Sequence, residues 1–218
     1  MHRGTIMYAP PAFKTHRAVA LAFAAARGFG LVIACDRGRP VASLLPFHVS
    51  EADGRLPRVQ FHVAKGNPLG DLAAKGGTWL ISVTGADAYV SPDWYVSPDQ
   101  VPTWLYETVQ LSGPVHIVPT DHMPVHLERL SAEFDSRLAP KPPWMVERMS
   151  RERRDMLMTA IVAVEMTVET VEGNFKLNQH KPDADHVAVA RELRRQEDPS
   201  ARAIAARMVA LRPQLAYE

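Results

Sequence analysis

Two apolar segments joined by one short polar turn constrain this chain more than any other feature. Leu31-Val32-Ile33-Ala34-Cys35 and Val41-Ala42-Ser43-Leu44-Leu45-Pro46-Phe47-His48 flank Asp36-Arg37-Gly38-Arg39-Pro40. A short apolar run bounded by Gly and Pro reads as a strand, and so short a connection joins only antiparallel neighbours. The same signal recurs at residues 59–64, 79–83 and 88–90, the last broken by Pro92. It returns at 104–118, where Gly113-Pro114 suggests a bend or bulge, and at 161–168. Successive strands joined by hairpin turns favour an antiparallel barrel over a doubly wound sheet.

Helices punctuate this series. Thr15 is the expected N-cap of a helix through 18–26 that stops near Gly28, and Asn67-Pro68 is an N-cap and N1 pair opening a short helix closed by Gly76-Gly77. Asp121 is placed to cap a helix carrying Leu127, Leu130 and Phe134 on one face. Ser150 opens a short charged helix, a polar loop follows 168, and helical pattern returns at 185–195 and 201–211. The expected fold is mainly β with flanking helices, an α+β protein. Its expected division is one barrel domain over 7–182 and a helical C-terminal extension over 183–218.

Composition narrows the function classes. With 25 basic and 24 acidic residues among 218, the formal charge of +1 gives no general attraction to nucleic acid or membrane. The single cysteine, Cys35, excludes an intramolecular disulfide and any multi-cysteine metal site; in an apolar strand it reads as an inert buried thiol. No stretch approaches the ~20 apolar residues that cross a bilayer. The opening, Met1-His2-Arg3-Gly4-Thr5-Ile6-Met7, lacks the apolar core of a secretory signal. A cytoplasmic protein is expected.

Three clusters carry chemistry. In His62-Val63-Ala64-Lys65-Gly66-Asn67-Pro68, a strand end meets a helix start, which offers backbone N–H groups and the Lys65 charge to an anion. The same pattern also serves as an ordinary strand-to-helix turn. Tyr89-Val90-Ser91-Pro92-Asp93-Trp94-Tyr95 and Val101-Pro102-Thr103-Trp104-Leu105-Tyr106 place five aromatics within 18 residues of a chain that is 7% aromatic. These rings suit stacking on a planar ligand, or equally a core or a dimer interface. Glu172-Gly173-Asn174-Phe175-Lys176-Leu177-Asn178-Gln179-His180-Lys181-Pro182 combines cations and side-chain amides, fit for phosphate or a heterocycle edge, or for a solvated loop. His122 and His126, four apart with Pro124 between them and no third ligand, read as a surface pair. No nucleophile elbow and no helix-turn-helix is evident.

Taken together, these clusters resemble the PaiB family of FMN-binding negative transcriptional regulators. The shared blocks are Met7-Tyr8-Ala9-Pro10-Pro11-Ala12-Phe13, Leu45-Pro46-Phe47, the His62-to-Pro68 run, both aromatic blocks and Lys176-Leu177-Asn178-Gln179. They run in order from Met7 to about Leu193; Asn178 departs from the serine frequent there. The resemblance implies an FMN-binding split β-barrel, assembled as a homodimer with flavin at the subunit interface. It implies Lys65 as the leading phosphate contact beside Asn67, with Ser43, Leu44 and Leu45 along the isoalloxazine ring and His62 and Ala64 nearby. Trp94, Tyr95 and Trp104 would line or close the pocket, and Lys176 and Gln179 would add polar contacts. The implied role is repression of transcription, with DNA contact not supplied by the residues themselves. A small flavin-dependent oxidoreductase or reductase using NAD(P)H stays open as the alternative, though no residue marks itself as a proton donor.

Overall fold

The computed structural model describes residues Ile6–Glu218. The reading that the opening lacks the apolar core of a secretory signal falls mainly on Met1–Thr5, outside the described residues. In chain order the elements are β1 (Lys14–Thr15), α1 (Arg17–Arg27), β2 (Phe29–Asp36), β3 (Arg39–Ser50), β4 (Arg58–Ala64), α2 (Pro68–Lys75) and β5 (Thr78–Val90). They continue with β6 (Thr103–Ile117), α3 (Met123–Ser136), α4 (Arg151–Thr159), β7 (Ile161–Thr167), β8 (Thr170–Lys176), α5 (Asp183–Arg195) and α6 (Pro199–Leu211). Eight strands form one antiparallel sheet in the order β1-β8-β6-β5-β2-β3-β4-β7, and β6 pairs also with β7. That second pairing closes six strands into a barrel, with the flanking helices making the fold α+β as expected.

The chain divides into two compact units, with β5 and β6 each contributing one half to both. One unit comprises Leu21–Val83 and Gln110–Val171. Its strands alternate as the pleat requires, and Val32, Phe47, Val59, Phe61, Val63, Ile81 and Val164 are buried. Phe61 and Trp79 meet with ring centroids 6.3 Å apart. The β2–β3 hairpin turns at Arg37 and Gly38, both with positive φ (50° and 82°), the conformation that two-residue hairpin turns favour. At Gly113 a Cβ would lie 1.8 Å from the Thr167 carbonyl oxygen. Glycine is there because two backbones nearly touch.

The other unit comprises residues up to Ala20, Thr84–Val109 and Glu172–Glu218. Helices α5 and α6 contact each other there, burying Val189, Leu193, Ile204 and Met208. The amides of Ile6 and Met7 donate to the Glu172 carboxylate (3.1 and 2.8 Å), and Asn174 Nδ2 donates to the Tyr8 carbonyl (3.3 Å). The N-terminal Met7-to-Phe13 block is thereby tied to β8.

Several local expectations need correction. Thr15 lies in β1 and α1 begins at Arg17. Asp121 does not cap α3, whose N-cap position is His122 with no side-chain cap bond. Part of the segment read as a polar loop after 168 forms β8, which finds its partners in β1 and β6. Cys35 is exposed, because β2 buries only the face carrying Gly30, Val32 and Ala34. No described helix is long and apolar enough to cross a membrane.

Candidate functional site

In the barrel unit, β3 pairs with β4 only from Phe47 to Ser50 (Phe47↔Phe61 to Ser50↔Arg58). Upstream, residues 39–46 pair with β2 alone, while His62, Val63 and Ala64 pair with β7 alone. The two strands therefore split at Ser43–Pro46, and alternate backbone groups of β3 are left without a strand partner on that side. Asn67 bridges the split. Its Oδ1 accepts from the Leu69 amide (2.9 Å), capping α2, and its Nδ2 donates to Ser43 Oγ (3.0 Å).

The turn after β4 is largely self-satisfied. Lys65 N donates to Ala160 O (2.9 Å), Asn67 N to Ala64 O (2.8 Å) and Gly70 N to Asn67 O (2.8 Å). The expected row of free amides at the start of α2 is thus mostly consumed. What remains for an anion is the exposed Lys65 ammonium, with no carboxylate partner among the described residues, and the positive end of the helix dipole. A Cβ on Gly66 would meet nothing within 4 Å, so the approach is open. On the outer face of the β2–β3 ladder, Leu44 is 63% exposed and Phe29 42% exposed, where Leu44 pairs with Leu31 and Pro46 with Phe29. An unpaired cation, open space, a free strand edge and an apolar strip fit a planar ligand that carries a phosphate.

His62 reaches a partner that the sequence did not suggest. Its Nδ1 lies 3.0 Å from Nε2 of His126. His126 is 2% exposed, so the surface-pair reading with His122 is wrong for it; α3 turns this side chain inward toward β3 and β4. The ring of His48 lies 5.8 Å from that of His126. Burial, with the charges of His62 and His48, pushes His126 down to about 4, and burial lowers His62 and His48 as well. Among the described residues no group of three or more His, Cys, Asp or Glu is disposed to hold a metal ion.

Trp94, Tyr95, Trp104, Lys176 and Gln179 all belong to the other unit. Trp94 ends a 3-10 turn opened by Ser91, whose Oγ accepts from the Asp93 amide (3.3 Å). The next residues are anchored to α5, because the amides of Val96 and Ser97 donate to Asp185 Oδ1 (2.9 and 2.8 Å). Tyr95 Oη and the Asn178 amide hydrogen-bond at 3.3–3.4 Å. Trp104, 54% exposed, meets Tyr89 edge to face and lines a cleft of about 440 Å³ with Thr84, Asp87, Tyr106 and Glu107. Lys176 Nζ donates to Thr103 Oγ1 (2.5 Å). Gln179 spends both ends of its amide on the chain itself: Oε1 accepts from Leu177 N (2.7 Å) and Nε2 donates to Phe175 O (2.5 Å).

Residues 7–170 match the family model described as "Putative FMN-binding domain". Over 200 residues, 91% of this chain and 95% of the relative, the sequence is 27% identical to protease synthase and sporulation protein PAI 2 of Bacillus subtilis (strain 168). Among solved structures, a conserved hypothetical protein from Mycobacterium tuberculosis aligns with a TM-score of 0.54 at 15% identity, over 81% of this chain and 94% of that one. The FAD and heme binding protein from Mycobacterium smegmatis aligns with a TM-score of 0.50 at 17% identity, over 74% of this chain and 71% of that one. At such identities these structural likenesses establish the split-barrel fold and nothing beyond it.

Proposed function

The chain belongs to the FMN-binding domain family, and on that premise we propose that it is a PaiB-like flavoprotein acting as a homodimeric negative regulator of transcription. FMN is the family's cofactor, and it would supply a redox-active isoalloxazine. The observation that carries the reading is the split between β3 and β4 with Lys65 unpaired beside it. Lys65 holds the phosphate, Asn67 fixes the turn, and Ser43, Leu44 and Leu45 offer edge and apolar contacts to the ring. His62 and Ala64 stand at the end of β4, on the other side of the split.

Regulation rests on the family resemblance and on the relative's link to protease synthesis and sporulation in its printed name. Direct DNA reading has little electrostatic support at a net charge of +1. The proposed repression therefore works directly or through partner proteins.

The test is a visible-absorption titration of the purified chain with FMN, wild type beside Lys65→Ala, followed by a promoter-reporter assay of both. Loss of a charge-assisted phosphate contact worth about 1.5–3 kcal/mol predicts roughly 10- to 100-fold weaker FMN binding in the variant. Unchanged affinity removes Lys65 from the site, and no flavin binding by the wild type sinks the reading. Repression that survives in a flavin-free variant separates regulation from the cofactor.

A further inference from the structure

The unit that contains Glu172–Glu218 holds a second concentration of positive charge, of which only Lys176 is among the flavin contacts that the family resemblance implies. Lys176 closes β8 and Lys181 precedes α5, and the turn between them is tight. Asn178 sits at φ 57°, a left-handed conformation that Asn tolerates better than most residues. The Lys181 amide donates back to the Asn178 carbonyl (3.0 Å). The turn gathers two ammoniums and the His180 imidazole. Phe13 packs edge-on against His180 (5.1 Å, 76°), and Lys176 Nζ stands 6.0 Å from the centre of the Phe13 ring.

Neither ammonium has a carboxylate within salt-bridge distance among the described residues. Lys176 is held by the Thr103 hydroxyl (2.5 Å). Lys181 is held by Gln100 Oε1 (2.5 Å) and lies 5.0 Å over the Tyr95 ring. The acids nearby do not pair with either ammonium, although Asp185 keeps its buried Oδ2 without a hydrogen-bond partner. Asp183 pairs with Arg212 (2.7 Å), and Arg212 also donates to the Lys181 and Gln179 carbonyls (3.0 and 2.9 Å). Asp185 is fully buried; its Oδ1 takes the Val96 and Ser97 amides, and the Lys181 charge acts on it from a distance. The direct partners of both ammoniums are neutral, and the two cations repel one another. Burial first and the Lys181 charge second lower Lys176, and burial followed by both lysines lowers His180.

We propose that Lys176, His180 and Lys181, with the Thr103 hydroxyl, form an oxyanion site that takes a phosphomonoester-type dianion independently of Lys65. A bound dianion relieves the mutual repulsion of the two ammoniums and gains charge-assisted hydrogen bonds from both. It also favours protonation of His180, which adds a further donor. Phe13 and Tyr95 flank the charges with ring surface, so an organic phosphate gains apolar contact that inorganic phosphate lacks.

The test titrates the full chain with inorganic phosphate at constant ionic strength, by calorimetry and by NMR of the His180 ring. It compares the wild type with Lys176→Gln/Lys181→Gln and with Lys65→Gln. The site predicts saturable binding, weakened at least about 10-fold in the double variant and about 2-fold or less in Lys65→Gln. It also predicts that phosphate raises the pH at which His180 titrates. Absence of saturation, or equal binding by the double variant, overturns it. Equal loss in Lys65→Gln overturns it too, by assigning the phosphate to the other segment. A matching loss of FMN affinity in the double variant overturns the claim of independence. FMN binding by the wild type is a separate readout, so the two readings can fail separately.

Discussion

His62 Nδ1 and His126 Nε2 face each other across 3.0 Å, so one proton serves both rings. The Nδ1 atoms of His126 and His48 are buried without a partner, which suits a bare lone pair and penalises an added N–H. Burial and its two histidine neighbours bring His126 down to about 4, against about 6.5 in an unfolded chain. Between those values the unfolded chain binds a proton that the folded one refuses. The contribution is fully present above about pH 6.5 and is lost progressively as pH falls toward 4. At about 1.4 kcal/mol per pKa unit it reaches as much as about 3 kcal/mol. Urea denaturation of wild type and His126→Gln at pH 7.5, 6.0 and 5.0 reads this directly: the wild type loses stability over that window and the variant loses less. Parallel pH dependences would remove the histidine pair from the explanation. Of this arrangement, only the i,i+4 spacing of His122 and His126 was visible in the sequence. The contact that matters spans 64 residues and depends on how α3 lies on β3. Lys65 and Asn67 were legible because a cap and its neighbouring charge are local properties.

Elements were legible where apolar residues and punctuation agreed, as in the β2–β3 hairpin and in α2 with its Asn67-Pro68 opening. β8 escaped because Glu172, Asn174 and Lys176 interrupt its apolar pattern; each instead has a defined partner in the N-terminal segment or β6. β6 was read as bending at Gly113, and the reason is a steric one that only the structure shows. A Cβ there meets the Thr167 backbone at 1.8 and 2.9 Å, where β6 runs against the end of β7 and Glu169 N donates to Ser112 O (2.9 Å). Backbone cannot step aside as a side-chain tip can. Gly113→Ala should cost at least about 2 kcal/mol, the middle of the usual overpacking range, and lower Tm by roughly 4–8 °C for a chain of this size. Gly66→Ala, where the added carbon meets nothing within 4 Å, is the matched control, expected within about a degree of wild type. Thermal unfolding followed by circular dichroism decides it, and equal shifts in the two variants would contradict the close-contact argument.

At the scale of the whole molecule, the outer face of β2 and β3 bears on assembly. Antiparallel partners point to the same side of a sheet, so Phe29 with Pro46, Leu31 with Leu44 and Ile33 with Ala42 make one continuous strip. The opposite face is buried, with Val32 and Phe47 at 0% exposure, yet Leu44 on this strip is 63% exposed and Phe29 42%. A strand apolar on both faces calls for burial on both, and a single chain does not complete that burial. A second copy laid on the strip would, and a homodimer is what the family resemblance implies. Charge placed in the middle of such an interface is costly, because it is desolvated without a partner. Phe29→Asp/Leu44→Asp should therefore convert the protein from about twice its 24.2 kDa chain mass to that mass itself, as read by sedimentation equilibrium. Both side chains face outward, so the barrel interior stays intact and circular dichroism should not change. A wild type already at the single-chain mass would reject the homodimer, and a double variant that stays at twice that mass would move the interface off this strip.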